Sequence, residues 1–269
     1  MAHLGELAPA RPYLEHGSAL YDAQQHHSLA FSYGSFDPGV ACLTYRTEVL
    51  WLLGYPDQAL KTSHEGQRLA HDLSHPFSLA FALTFAVRLH QLRREAQAAQ
   101  GRTEEVIALS TERGFPFFLA EGTIFRGWAL AEQGHLAEGL KQIHENLAAW
   151  RAIGADFLRP HFLALLAEAY GQDRQVEEGL GAVVEGLAFV ESTEERYYEA
   201  ELYRLKGELL LKQSHSNAAE TEACFLQAIA IAQRQPPNRG NCALQRVSHD
   251  CGSNRASGKK NAPNRNVRE

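Results

Sequence analysis

With 269 residues, 45% of them hydrophobic and 22% charged, the chain is long enough for a sizeable core and has the composition of a folded protein. Its net charge of -6 is uneven: residues 1–235 hold 19 Lys and Arg against 30 Asp and Glu (-11), and residues 236–269 hold 7 against 2 (+5). So acidic a body excludes phosphate neutralisation as its mode of binding, and with it a duplex or an anionic membrane surface.

In chain order, Gly5-Glu6-Leu7-Ala8 through Leu20 predicts a lone helix over about 6–20, resembling the second half of a helical hairpin. An insert from Asp22 to Gly39 follows. From residue 40 the sequence repeats. Small residues recur at Thr47, Val87, Gly127, Ala167 and Gly207, each 40 apart, with Val87 the largest. Leu43, Leu83, Thr123, Leu163 and Tyr203 keep the same step, as do Val49, Leu89, Ala129, Ala169 and Leu209. A second set marks the partner helix: Ala59, Ala99, Gly139, Gly179 and, after 42, Thr221. Its far end carries Gln67, Ile107, Leu147, Leu187 and Ile229. A fixed period of this kind is the signature of a repeat architecture.

Each unit also has an interior helical period. Leu163, Leu166, Ala167 and Tyr170 fall on one helix face, and Leu180, Val183, Val184 and Leu187 do so in the next helix. Polar breaks such as Gly54-Tyr55-Pro56-Asp57 and Gln133-Gly134-His135 separate the two as tight turns. Gly127, Ala167, Gly139 and Gly179 provide the places where paired helices approach closely. The prediction is an all-α fold of about five hairpins over 40–75, 76–114, 116–154, 157–192 and 196–235. Gly127-Trp128-Ala129-Leu130, Gln133-Gly134-His135 and Gly139-Leu140 resemble the tetratricopeptide repeat. Its usual period of 34 residues is lengthened here to about 40. Such repeats stack into a right-handed α-solenoid whose inner groove is lined mainly by the first helix of each hairpin. Solenoid ends without polar caps would favour self-association. After Gln235 the pattern stops, and 236–269 reads as a disordered basic tail. Weak nucleic-acid contact and a shifted reading frame are the two readings of that tail.

Longer stretches resemble one family in particular. They include Leu52-Leu53-Gly54-Tyr55-Pro56-Asp57-Gln58-Ala59-Leu60, Leu73-Ser74-His75-Pro76-Phe77-Ser78-Leu79-Ala80 and Gly127-Trp128-Ala129-Leu130-Ala131-Glu132-Gln133-Gly134. Tyr198-Glu199-Ala200-Glu201-Leu202-Tyr203-Arg204-Leu205-Lys206-Gly207 belongs with them. Residues 1–235 resemble the C-terminal tetratricopeptide region of bacterial adenylate/guanylate cyclases fused to a STAND-type ATPase. The resemblance implies a regulatory or sensor module and brings no catalytic residue, because the cyclase and ATPase motifs lie in other domains. The effector-sensing arm of a STAND transcription regulator and a detached gene fragment are the alternative readings.

A search for chemistry supports a non-enzymatic module. Phosphate loops, dinucleotide fingerprints, nucleophile elbows and His-Glu-x-x-His are absent from the sequence, so neither catalytic residues nor a cofactor are expected. His71 and His75 are four apart, but Pro76 places His75 where a helix ends, and His26-His27 lacks partners at ligand spacing; no metal is expected. Glu177-Glu178 and Glu191 to Glu195 read as solvated helix termini. Cys42, Cys224, Cys242 and Cys251 form no Cys-x-x-Cys pair. Neither a signal peptide nor a run of about 18 apolar residues is visible, so a cytoplasmic location is expected. Opposite the packing face of the first helices stand Glu48, Trp51, Arg88, Gln91, Trp128, Glu168, Arg204 and Glu208. Mixed charge with exposed aromatics there suits capture of a protein or peptide, or of a small polar ligand. A plain solvated face, with the tryptophans in the core, is the competing reading.

Overall fold

A computed structural model describes residues 7–33, 35–193, 195–213 and 218–234. The tail predicted over 236–269, with Cys242 and Cys251, lies outside them. Thirteen helices are present among the described residues: α1 (Leu7–Leu20), α2 (Ala23–His26), α3 (Ala30–Tyr33), α4 (Pro38–Leu52), α5 (Pro56–Asp72), α6 (Pro76–Leu92), α7 (Ala96–Arg113), α8 (Pro116–Glu132), α9 (Leu136–Ala152), α10 (Arg159–Gln172), α11 (Val176–Thr193), α12 (Glu199–Gln213) and α13 (Ala218–Arg234). Short 3₁₀ turns occupy His27–Leu29 and Arg196–Tyr198.

Local chemistry sets the boundaries. Pro38, Pro56, Pro76 and Pro116 open their helices, where a missing N–H costs nothing. Asp37 caps α4 by accepting from the Val40 N–H at 3.0 Å. His75 caps α6, so His71 and His75 stand on different elements. Left-handed residues punctuate the turns every twenty positions, at Gly54, Ser74, Arg94, Gly114, Gly134, Gly154 and Arg174. That half-period matches one helix plus one turn.

The hairpins α4–α5, α6–α7, α8–α9, α10–α11 and α12–α13 pack in sequence, and α4, α6, α8, α10 and α12 touch along one side. The helix α1 packs on α4. The comb residues mark the closest approaches. A Cβ on Gly127 would lie 2.7 Å from the Gly139 carbonyl oxygen, and one on Gly139 would lie 2.5 Å from that of Gly127. The same crossing recurs at Gly179, 3.3 Å from the Ala167 oxygen. One core cluster then runs from Ala80 to Leu209, with Phe125, Trp128, Trp150 and Phe162 at its centre. The insert before α4 is tied down through Asp37: Tyr21 donates to it at 2.8 Å, His27 pairs with it at 2.9 Å, and its own N–H donates to Ser78 Oγ.

Candidate functional site

The first helices of the hairpins carry the eight residues singled out from the sequence, and the structure distributes them unequally. Glu48, Trp51 and Arg88 meet in one cleft, whose other walls are Thr47, Phe85, Leu89, Leu92, Leu158, His161 and Tyr197. Counted out to its mouth the cleft is about 370 Å³, but its enclosed part holds roughly one water. Glu48 is half-buried, and its Oε2 is buried without a hydrogen-bond partner. Arg88 Nε donates to Glu121 Oε1 at 2.6 Å, and its guanidinium lies 4.2 Å from the centre of the Phe85 ring. Burial alone would lower the Arg88 pKa; Glu121 overrides this and the net shift is upward. Gln91 sits behind this cleft, 2% exposed, where His161 Nε2 donates to its Oε1 at 3.1 Å. Burial, and then the charge of Arg88, pushes the His161 pKa well below the ordinary range, so the ring is neutral.

Glu168 and Glu208 line a second cleft between α10 and α12, about 490 Å³ to its mouth, with Gly171, Gln172 and Lys212. Glu208 is bound by Arg204, which also forks onto Glu201 with two bonds of 2.8 Å. Glu168 accepts from Arg94 at 2.8 Å, and the same guanidinium pairs with Glu132 at 2.8 Å. Arg94 also lies 5.4 Å from the centre of the Trp128 ring.

The tryptophans are not exposed anchors. Trp128 is 1% exposed and Trp51 9%, because both belong to core clusters. Arg88 and Arg204 are likewise buried, at 8% and 2%. Five of the eight therefore line two clefts, while Gln91, Trp128 and Arg204 are buried outside their linings, so the set is not one open solvated face. Sequence reasoning missed His161, Tyr197, Leu158, Glu121 and Arg94. Tyr197 packs against the cluster holding Val49, Leu50 and Trp51, so the start of the last hairpin reaches the first. Bonds from Gln91 to His161 and from Arg94 to Glu168 span 70 and 74 residues. Among the described residues, no group of three or more His, Cys, Asp or Glu could hold a metal ion, and no helix is long and apolar enough to cross a membrane.

No family model matches the sequence. A curated relative, the uncharacterized protein R02095 of Rhizobium meliloti (strain 1021), is 26% identical over 238 residues. The match takes in 87% of this chain, and the chain spans only 22% of the relative's length. Among solved structures, the apo form of RapI superposes with a TM-score of 0.60 at 11% identity, covering 94% of this chain and 93% of that one. A STAND signal-transduction ATPase with a tetratricopeptide repeat sensor, PH0952 of Pyrococcus horikoshii, gives 0.51 at 14% identity. That match covers 90% of this chain and 36% of the ATPase. The fold is a tetratricopeptide-like α-solenoid. Its comb residues make the helix crossings, and its inner face presents two carboxylate-lined clefts.

Proposed function

We propose that this solenoid is a non-catalytic scaffold that holds a protein or peptide segment along the inner face of its first helices. The observation that carries this reading is the cleft that joins Glu48, Trp51 and Arg88 to Tyr197. A narrow space with aromatic and aliphatic walls and convergent polar groups suits side chains entering from an extended segment. The contacting surfaces of α4, α6, α8, α10 and α12 provide the track beside it.

The wider role is the sensor part of a cyclase–ATPase signalling protein. Two comparisons support it: the chain spans 22% of a much longer relative, and its fold is shared with the repeat sensor of a STAND ATPase. Cyclase and ATPase reading frames in the DNA beside this coding sequence would agree with that role. A neighbouring DNA-binding domain would favour the transcription-regulator alternative instead.

The groove itself is tested by panning a random-peptide display library on the immobilised full chain. Enriched peptides are then measured on a variant carrying Glu48→Ala and Gln172→Ala, which widens both clefts and leaves the bonds of Arg88 to Glu121 and of Arg204 to Glu201 and Glu208 in place. Binding to the parent should be lost in this variant while its far-UV circular dichroism is unchanged. Peptides that hold parent and variant equally well would refute the groove as the binding surface.

A further inference from the structure

The first cleft has an imbalance of charge. Around the single guanidinium of Arg88 stand the carboxylates of Glu121, bonded to it, and of Glu48 and Glu195, both close enough to act on it electrostatically. Glu195 accepts from the N–H of Leu158, which is a wall of the cleft. One cation therefore faces three carboxylates, and His161 adds no charge. Burial pushes the Glu195 pKa upward, and the Leu158 N–H and the charge of Arg88 offset this only in part. Glu48 Oε2 is buried in the same place with no donor. A buried carboxylate oxygen left in this state is destabilising, and a donor supplied from outside recovers that cost. The rings of Trp51 and Tyr197 add apolar surface, and their faces attract cations.

We infer that this cleft receives a lysine or arginine side chain from an extended segment of a partner protein, with Glu48 as the group that meets it. The assignment rests on the groove reading above and adds the chemistry of the partner. A slender side chain suits an enclosed space of about one water, where a folded or ring-shaped ligand does not. The acidic body, at -11 over residues 1–235, attracts a basic segment. Arg88 does not repel the incoming cation outright, because Glu121 engages its charge at 2.6 Å and Phe85 covers it.

The test measures fluorescence anisotropy of labelled tetra-arginine and tetraglutamate peptides with the full chain at physiological salt. Tetra-arginine should bind, and Glu48→Gln should weaken it about tenfold or more, the loss expected for one charge-assisted hydrogen bond. Glu177→Gln removes an equal charge from an exposed site on α11 and should change binding less than twofold. Equal effects of the two variants would mean diffuse attraction and overturn the cleft assignment. No binding of tetra-arginine would overturn it as well. Tighter binding of tetraglutamate would overturn the charge assignment while leaving the groove as a peptide site, and acidic sequences emerging from the display library would report the same division.

Discussion

The Arg88–Glu121 pair makes an unequal prediction about its two halves. The side chain of Glu121 is fully buried and that of Arg88 is 10% exposed, with 2.6 Å between Nε and Oε1. At an effective dielectric constant near 20, two unit charges at that distance attract by about 6 kcal/mol. Desolvation offsets most of this, so an intact buried pair adds little net stability. Removing one partner leaves the other bare, at about 3–5 kcal/mol. The surroundings then decide which loss is worse. Without Glu121, Arg88 keeps the charges of Glu48 and Glu195 and the face of Phe85, so Glu121→Gln should cost about 2 kcal/mol. Without Arg88, Glu121 is left among carboxylates that repel it, so Arg88→Met should cost about 4 kcal/mol. The double variant Arg88→Met with Glu121→Leu should lie within about 1 kcal/mol of the parent. Urea unfolding followed by circular dichroism at 222 nm ranks the three. A costlier Glu121→Gln than Arg88→Met, or a double variant as weak as the two singles summed, would refute this account.

Three further outcomes follow from the packing. Gly139→Ala should destabilise by about 3 kcal/mol, since its Cβ meets backbone at 2.5 and 2.9 Å, whereas Gly181→Ala, with nothing within 4 Å, should stabilise by up to about 1 kcal/mol; thermal unfolding distinguishes them. His161 is held neutral in the folded chain but titrates near 6.5 when unfolded, so the unfolded state takes up its proton first as pH falls. Stability is then full above about pH 6.5 and is lost below it, and His161→Phe should flatten the fall in urea midpoint between pH 6.5 and 5; an unchanged slope would show that the ring is not excluded from protonation. Tyr197→Ala should speed amide hydrogen exchange in α4 around residues 47–52, at the far end of the chain, whereas changes confined to α11–α13 would mean that the first and last hairpins are independent.

The helix crossings were legible in the sequence because a close approach leaves a mark in every repeat. Gly127 and Gly139 face each other's carbonyls, Ala167 and Gly179 repeat the arrangement, and Ala59 and Ala99 are fully buried at equivalent positions. The groove reading takes Trp51 and Trp128 as exposed aromatics, whereas both are core residues, as is Trp150, whose Nε1 donates to the Phe157 carbonyl at 3.1 Å. The clefts were not legible to the same degree. A period of 40 places Glu48, Arg88, Trp128, Glu168 and Glu208 on comparable faces, but gives no account of how far the stack curves. Curvature accumulates from small rotations between hairpins, and it brings Tyr197 to Trp51 and His161 to Gln91. Arg94 was hidden for another reason. It holds a left-handed turn position where glycine stands in four of the seven turns, and only its reach to Glu132 and Glu168 across Trp128 shows why an arginine is useful there.

The same curvature gives the groove its physical character. In an extended stack each repeat touches only its neighbours, and a ligand on one hairpin is felt by the next alone. Here the inner face is partly filled by the protein itself, because Tyr197, Leu158 and His161 lie against α4 and α6. A side chain entering between Trp51 and Tyr197 contacts the first hairpin and the last at once. Any difference in its affinity for the closed and the slightly opened stack must appear, with equal magnitude, as a shift in the equilibrium between them. Occupancy of one narrow cleft would in this way be linked to the curvature of the stack. The proposed sensor role would draw on a linkage of that kind, which a rigid rod of independent hairpins has no means of providing.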